Sequence, residues 1–177
     1  MTTHIALFRS LNVGGKNVIK MAALTALFAK SGAKKARAYI QSGNVLFESE
    51  RPESVMKGVL KMLLEEHAIT VPATLRSADE LRDALARNPF QSHDAKLVQV
   101  MFLGEPVSLK AAANVDLLRS PPDLFHVTAE TREAYLCCPH GIAKTKYTNA
   151  YLDKALGSMS TGRNIHTVQA LLALASV

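Results

Sequence analysis

Residues 3–48 read THIALFRSLNVGGKNVIKMAALTALFAKSGAKKARAYIQSGNVLFE, and the change of hydrophobic period along them decides the fold. Thr3 to Arg9 is an apolar run of strand type. A polar loop, Ser10 to Asn17, follows it and carries the pair Gly14-Gly15. From Lys20 to Ser31 the apolar residues Met21, Leu24, Leu27 and Phe28 recur at helical spacing, and Gly32 supplies the stop. Ala36 to Ile40 and Asn44 to Glu48 then read as two strands joined by the short turn Gln41-Ser42-Gly43, which is a hairpin.

Working outward, Pro52 opens a second helix with Met56, Val59, Leu60, Leu63 and Leu64 on one stripe, and Val71 to Arg76 is a further strand. The order β-α-β-β-α-β predicts one antiparallel sheet with two helices on one face, the ferredoxin-like arrangement. Ser77-x-x-Glu80 is a capping box, and the helix it starts runs to Asn88-Pro89. Beyond it, Leu97–Leu103 reads as a strand, 106–113 as a short helix, Leu124–Thr128 and Ala134–Cys138 as strands. Thr148 to Leu156 is a helix closed by Gly157, and a last helix is capped by Asn164. The order of elements restarts, although no residue-level identity links the two halves. The fold expected is α+β, with two ferredoxin-like subdomains, at 1–77 and 93–177, around a connecting helix and loop at 78–92. Runs such as Ile5-Ala6-Leu7-Phe8 and Val98 to Leu103 are apolar at nearly every position, so both faces of each sheet are expected to be covered, by the other half or by a partner chain.

The chain of 177 residues is 48% apolar and 20% charged, which places it among globular rather than disordered sequences. It contains no apolar run long enough to span a bilayer and no export signal at Met1-Thr2-Thr3-His4, and its two adjacent cysteines, Cys137 and Cys138, suit a reducing compartment; a cytoplasmic protein is expected. The net charge of +6 is concentrated at the start, where residues 1–51 hold eight Lys and Arg against two acids and the remainder balances. Such a field favours anionic partners, although a solvated basic face has the same composition.

Right-handed crossover makes the first two strands parallel, so the Gly14-Gly15 loop and the Gln41 to Asn44 turn are expected at one edge of the sheet. Glycine N–H groups at a helix mouth can cradle an anion, with Lys16 adding charge. Arg9, Asn12, Asn17, Gln41, Ser42, Gly43 and Asn44 complete the candidate set in the first half. Lys146, Thr148, Asn149, Arg163 and Asn164 complete it in the second. The plainer reading gives the glycines to a tight turn and the asparagines to capping. The G-x-x-x-x-G-K-[ST] and G-x-G-x-x-G spacings are both absent. No metal set is legible, because Cys137-Cys138-Pro139-His140 lacks a second C-x-x-C, and no cofactor is called for. Phe8 and Phe47 lie inside apolar runs and read as core rather than as base-stacking platforms.

The segments Ile5 to Asn17, Tyr39-Ile-Gln-Ser-Gly-Asn-Val45, Lys146-Tyr-Thr-Asn149 and Thr161-Gly-Arg-Asn164 with Thr167 closely resemble the bacterial family called domain of unknown function 1697. The resemblance implies two ferredoxin-like subdomains and no established activity. Two positions depart from the family pattern. Ser10 stands where glycine is usual, and Ile165-His166 where Trp-Asn is usual, so an aromatic plane is missing there.

The functional expectation is binding of an anionic, phosphate-bearing or nucleotide-like small molecule. The alternatives are nonspecific nucleic-acid binding, a scaffold or homodimerisation module, and an enzyme whose acid or base, His166 for instance, acts only in the folded site. Whether the chain is an enzyme at all stays open, and no membrane partner is expected.

Overall fold

The computed structural model describes residues 2–176. The chain divides into two compact units, Met1–Leu81 together with Leu171–Val177, and Arg82–Ala170.

The first unit follows the predicted order: β1 (Thr2–Phe8), α1 (Met21–Lys30), β2 (Lys34–Tyr39), β3 (Asn44–Ser49), α2 (Pro52–His67) and β4 (Ala73–Ser77), leading into α3 (Ala78–Ala86). Its four strands form an antiparallel sheet in the order β2-β3-β1-β4. Strand pleating sends alternate residues to opposite faces. Ala6, Phe8, Val45 and Phe47 thus meet Leu24, Leu27 and Phe28 of α1 and Val55, Met56, Val59 and Leu63 of α2. The Phe28 ring sits 4.9 Å from that of Phe47 and 6.2 Å, edge-on, from that of Phe8. Both strand phenylalanines belong to the core, as their apolar neighbours implied. Ile5, Leu7 and Leu46 point the other way and are buried too, so the sheet has no wet face.

The second unit repeats the plan: β5 (Val98–Leu103), α4 (Leu109–Ala113), β6 (Leu124–Val127), β7 (Glu133–Cys137), α5 (Asn149–Leu156) and β8 (Ser160–Asn164), leading into α6 (Ile165–Ala175). The sheet order is β6-β7-β5-β8, the first order with each strand replaced by its counterpart. Met101, Leu103, Ala134 and Leu136 pack with Tyr147, Leu152 and Leu156 on one face. Val98, Val100 and Phe102 are fully buried on the other.

Local signals start and stop the helices. The Ser77 Oγ accepts from the Glu80 N–H at 3.1 Å while the Glu80 carboxylate accepts from the Ser77 N–H at 2.7 Å, the reciprocal pair of a capping box. Thr148 caps α5 through the Tyr151 N–H, and Gly157 ends it in the left-handed conformation. The Asn164 Oδ1 accepts from the His166 N–H at 2.9 Å and so opens α6.

The sequence reading needs two corrections. It has no strand between α5 and α6, yet Ser160–Asn164 pairs along β5. An all-polar, glycine-containing stretch carries no hydrophobic alternation, and as an edge strand it needs a partner on one side only. The second concerns the absence of residue-level likeness between the halves. Thr74-Leu75-Arg76 and Thr161-Gly162-Arg163 occupy the same place in β4 and β8, opposite Ile5 and Val100 respectively. In each, the arginine Nη1 donates to the threonine two residues back and to the carbonyl between them, at 2.8 and 2.7 Å for Arg76 and at 2.8 Å twice for Arg163.

Candidate functional site

The end of β1 and the β2–β3 turn lie together, because β1 and β2 both run antiparallel to β3, and Asn12 fastens them. Its Oδ1 accepts from the Ile19 N–H at 2.7 Å, and its Nδ2 donates to the carbonyls of Ile19 at 3.0 Å and Gln41 at 3.2 Å. The Phe8 N–H donates to the Gly43 carbonyl at 2.9 Å, which extends the β1–β3 pairing into the turn.

Gly14 and Gly15 adopt φ of +60° and +72°, and the Lys16 N–H closes back on the Val13 carbonyl at 3.1 Å. The Asn12 N–H likewise donates to the Asn17 carbonyl. Two successive left-handed residues make the two-residue turn of a small hairpin. This corrects the expected cradle at a helix mouth. The turn is a β-hairpin tip, and Asn17 to Lys20 separate it from the first turn of α1.

Left-handed residues crowd these two loops: Ser10, Asn12 and Asn17 join the glycine pair in one, and Ile40 joins Gly43 in the other. Ile40 at φ +52° is the most costly, because a β-branched side chain clashes with its own backbone there. Strain of this kind persists only where surrounding contacts hold it. Gly43 is required for a second reason: a Cβ at this position would stand 2.9 Å from the Phe8 Cβ and 3.1 Å from that of Leu11.

The candidate residues of the first unit therefore fall into two groups. Asn12, Asn17 and Asn44 are braces. Asn17 donates to the Ser10 carbonyl, and Asn44, fully buried, donates to the Tyr39 carbonyl and the Ser42 hydroxyl. Gly14, Gly15, Lys16 and Gln41 are exposed, with Arg9 and Ser42 half-buried beside them. No acid occurs anywhere in residues 1–47.

In the second unit Tyr147, Thr148, Asn149 and Gly162 line a cavity of about 450 Å³ with Gln99 and Met101. Two of the motif segments thus meet within one unit. Asn149 is turned to the Ser160 backbone and hydroxyl at 2.9 and 3.0 Å, Asn164 to the carbonyls of Ala95 and Lys96, and Lys146 is exposed. Arg163 is not on the cavity side of β8. It is buried on the opposite face, where desolvation lowers its pKa to about 10. His166 is exposed at the start of α6. Among the described residues no group of three or more His, Cys, Asp or Glu is placed to hold a metal ion. Cys137 and Cys138 are free and buried, and burial pushes the Cys138 thiol up to about 11, which makes it a poor nucleophile.

Sequence reading missed Arg76, the counterpart of Arg163. The spacing T-x-R just ahead of a capped helix was the available signal.

The family described as "Protein of unknown function (DUF1697)" matches residues 1–135. The chain belongs to this family. The matched span contains both loops fastened by Asn12, whereas Lys146–Asn149 and Thr161–Asn164 lie beyond it. No curated protein matches the chain. Among solved structures, a conserved bacterial protein, SP0830 from Streptococcus pneumoniae, is similar over 98% of each chain at 23% identity with a TM-score of 0.73. At that identity the likeness establishes the fold alone. No helix among the described residues is long and apolar enough to cross a membrane.

Proposed function

We propose that the protein binds a small phosphate-bearing anion at the edge of its first sheet, where the Val13–Lys16 hairpin tip stands beside the Gln41–Ser42 turn. The observation that carries this reading is the combination of rigidity with one-sided charge. Two loops of left-handed residues are fastened through Asn12, and the segment that builds them holds Arg9, Lys16 and Lys20 without a single acid. Pre-organised loops lose little entropy on binding, and a field of one sign concentrates anions. Gly14 and Gly15 have open space where side chains would stand, so a ligand can approach the backbone there. Lys16 and Arg9 supply the charge in this scheme, and Ser42 and Gln41 supply neutral donors that orient the bound group. The cytoplasm, with its phosphorylated metabolites, is the compartment that fits this function.

The test is thermal denaturation with inorganic pyrophosphate against sodium chloride at equal ionic strength. Ligand at about 100 times its dissociation constant stabilises by about 2.7 kcal/mol. The melting temperature of the wild type is expected to rise with pyrophosphate and not with chloride, and the rise is expected to vanish in Lys16→Ala. Equal stabilisation by chloride, or a response unchanged in Lys16→Ala, overturns the reading. Binding of an oligonucleotide that weakens steeply with salt, without any response to pyrophosphate, would transfer the basic surface to nucleic acid.

A further inference from the structure

The two units share one topology, so each place where they differ stands out against its counterpart. In the first unit α1 joins β2 through residues 31–33; in the second, the equivalent connection from α4 to β6 runs over residues 114–123. Long loops in compact units carry function more often than spare chain.

This loop is held from within its own unit. The Tyr147 hydroxyl donates to the Asp116 carbonyl at 2.9 Å, and the Asp116 N–H donates to the Tyr151 hydroxyl at 2.8 Å. The Arg119 guanidinium lies 3.8 Å over the Tyr151 ring while its Nε donates to the Lys146 carbonyl at 2.8 Å. The Ser120 hydroxyl accepts from the Lys146 N–H at 3.0 Å and donates to the Asp123 carboxylate at 2.7 Å. Fastened at both ends, the loop nonetheless turns Leu117 and Leu118 outward, 61% and 82% exposed. Leu124, where the loop enters β6, is 43% exposed.

The strand that follows differs from its counterpart as well. β2 and β6 are the equivalent edges of their sheets. β2 carries Lys34, Lys35 and Arg37 and an irregularity in its pairing between Lys34 and Arg37, devices that stop edge strands from adding to one another. β6, Leu-Phe-His-Val, has neither a Lys or Arg nor an irregular register. Its outer side has no neighbouring strand among the described residues.

We infer that this surface, the Asp116–Pro122 loop with the outer edge of β6, is where a second copy of the chain docks, β6 against β6 in antiparallel fashion, with the exposed leucines flanking the new pairing. Charge argues for a copy as the occupant. Two copies each carry +6 concentrated in residues 1–51, while residues 52–177 hold equal numbers of acids and bases. Counted by unit the net charge is +4 in the first and +2 in the second, so two copies repel less through the second unit than through the first. A strand edge free of Lys and Arg, with apolar residues beside it, is complementary to itself, as a two-fold interface requires. The inference is independent of the anion site.

Sedimentation velocity over a concentration series tests it. The wild type is expected to dimerise by ~100 µM, and Leu117→Asp/Leu118→Asp is expected to raise the dissociation constant ~30-fold or more, the effect of putting two carboxylates where apolar side chains would be buried on docking. Both leucines are exposed, so the far-ultraviolet circular dichroism of the variant is expected to match the wild type. Amide hydrogen exchange of Leu124–Val127 is expected to slow as concentration rises. A wild type that stays monomeric overturns the inference, and so does a dimer that the double variant leaves intact or whose β6 amides exchange at the same rate at every concentration.

Discussion

Asn12 uses both ends of its amide to join two loops that lie far apart in sequence, so its removal is expected to loosen the edge of the first sheet. Asn12→Ala strips two carbonyls and one N–H of their partner and should cost about 2 kcal/mol by urea denaturation. The glycines beside it separate conformational need from need for space. Gly15→Ala adds a methyl group into open space at φ +72° and should cost about 1 kcal/mol. Gly43→Ala combines φ +76° with a Cβ pressed on Phe8 and Leu11, and should cost about 3 kcal/mol. Equal losses for the two glycine variants would mean that close packing under Gly43 is not what selects it. The same scale settles the cysteines. Both thiols are buried, so Ellman's reagent is expected to find neither in the native protein at pH 8 and both after denaturation.

At the scale of elements, the edge strands β4 and β8 each bury an arginine. Their arginines are 1% and 7% exposed, and each is tied to a threonine on its own strand. Thr161→Val keeps the shape but removes the acceptor of a charged, buried donor, and should cost about 2 kcal/mol. Thr74→Val should cost a similar amount, because the geometry repeats; a silent Thr74→Val beside a costly Thr161→Val would break the equivalence of the two strands. Periodicity cannot find β8, whose reason for extending is the hydrogen-bonding edge of β5. The helices, by contrast, were legible from their stops and caps: Gly32 after α1, the Ser77–Glu80 pair before α3, Thr148 and Gly157 around α5 and Asn164 before α6. Each of those signals works through atoms within a few residues of itself.

Across the whole molecule, buried groups that ionise at high pH set an alkaline limit. Burial raises the Cys138 thiol from 9.0 to about 11 and the Tyr135 hydroxyl from 10.0 to about 12. Their folded pKa values lie above the unfolded ones, so the stability they contribute is complete below pH 9 and is lost as pH climbs through 11 to 12. The melting temperature is expected to fall above pH 9, and Cys138→Ala should reduce the slope of that fall. A slope unchanged by the substitution would assign the alkaline limit to other groups. The molecule has two sheets of one topology, and the sequence divides the labour between them, with most of the positive charge on the first unit and an edge free of Lys and Arg on the second.

The sequence by itself determined the order of strands and helices up to β8, the antiparallel α+β class, most helix ends and the placing of charge, because these are written in local period, turn chemistry and composition; the short helix expected over 106–113 begins only at Leu109, behind the Ser108 cap. The sequence also brought the loop after β1 and the β2–β3 turn to one edge, since a helical crossover returns the chain as a parallel strand. Only the tertiary structure decided which asparagines brace and which polar groups face solvent, that Ser160–Asn164 is a strand, and that Arg163 turns away from the cavity lined by its neighbour Gly162. Those outcomes depend on partners distant along the chain. A side chain's role is fixed by what the fold sets against it, and local pattern carries no record of that.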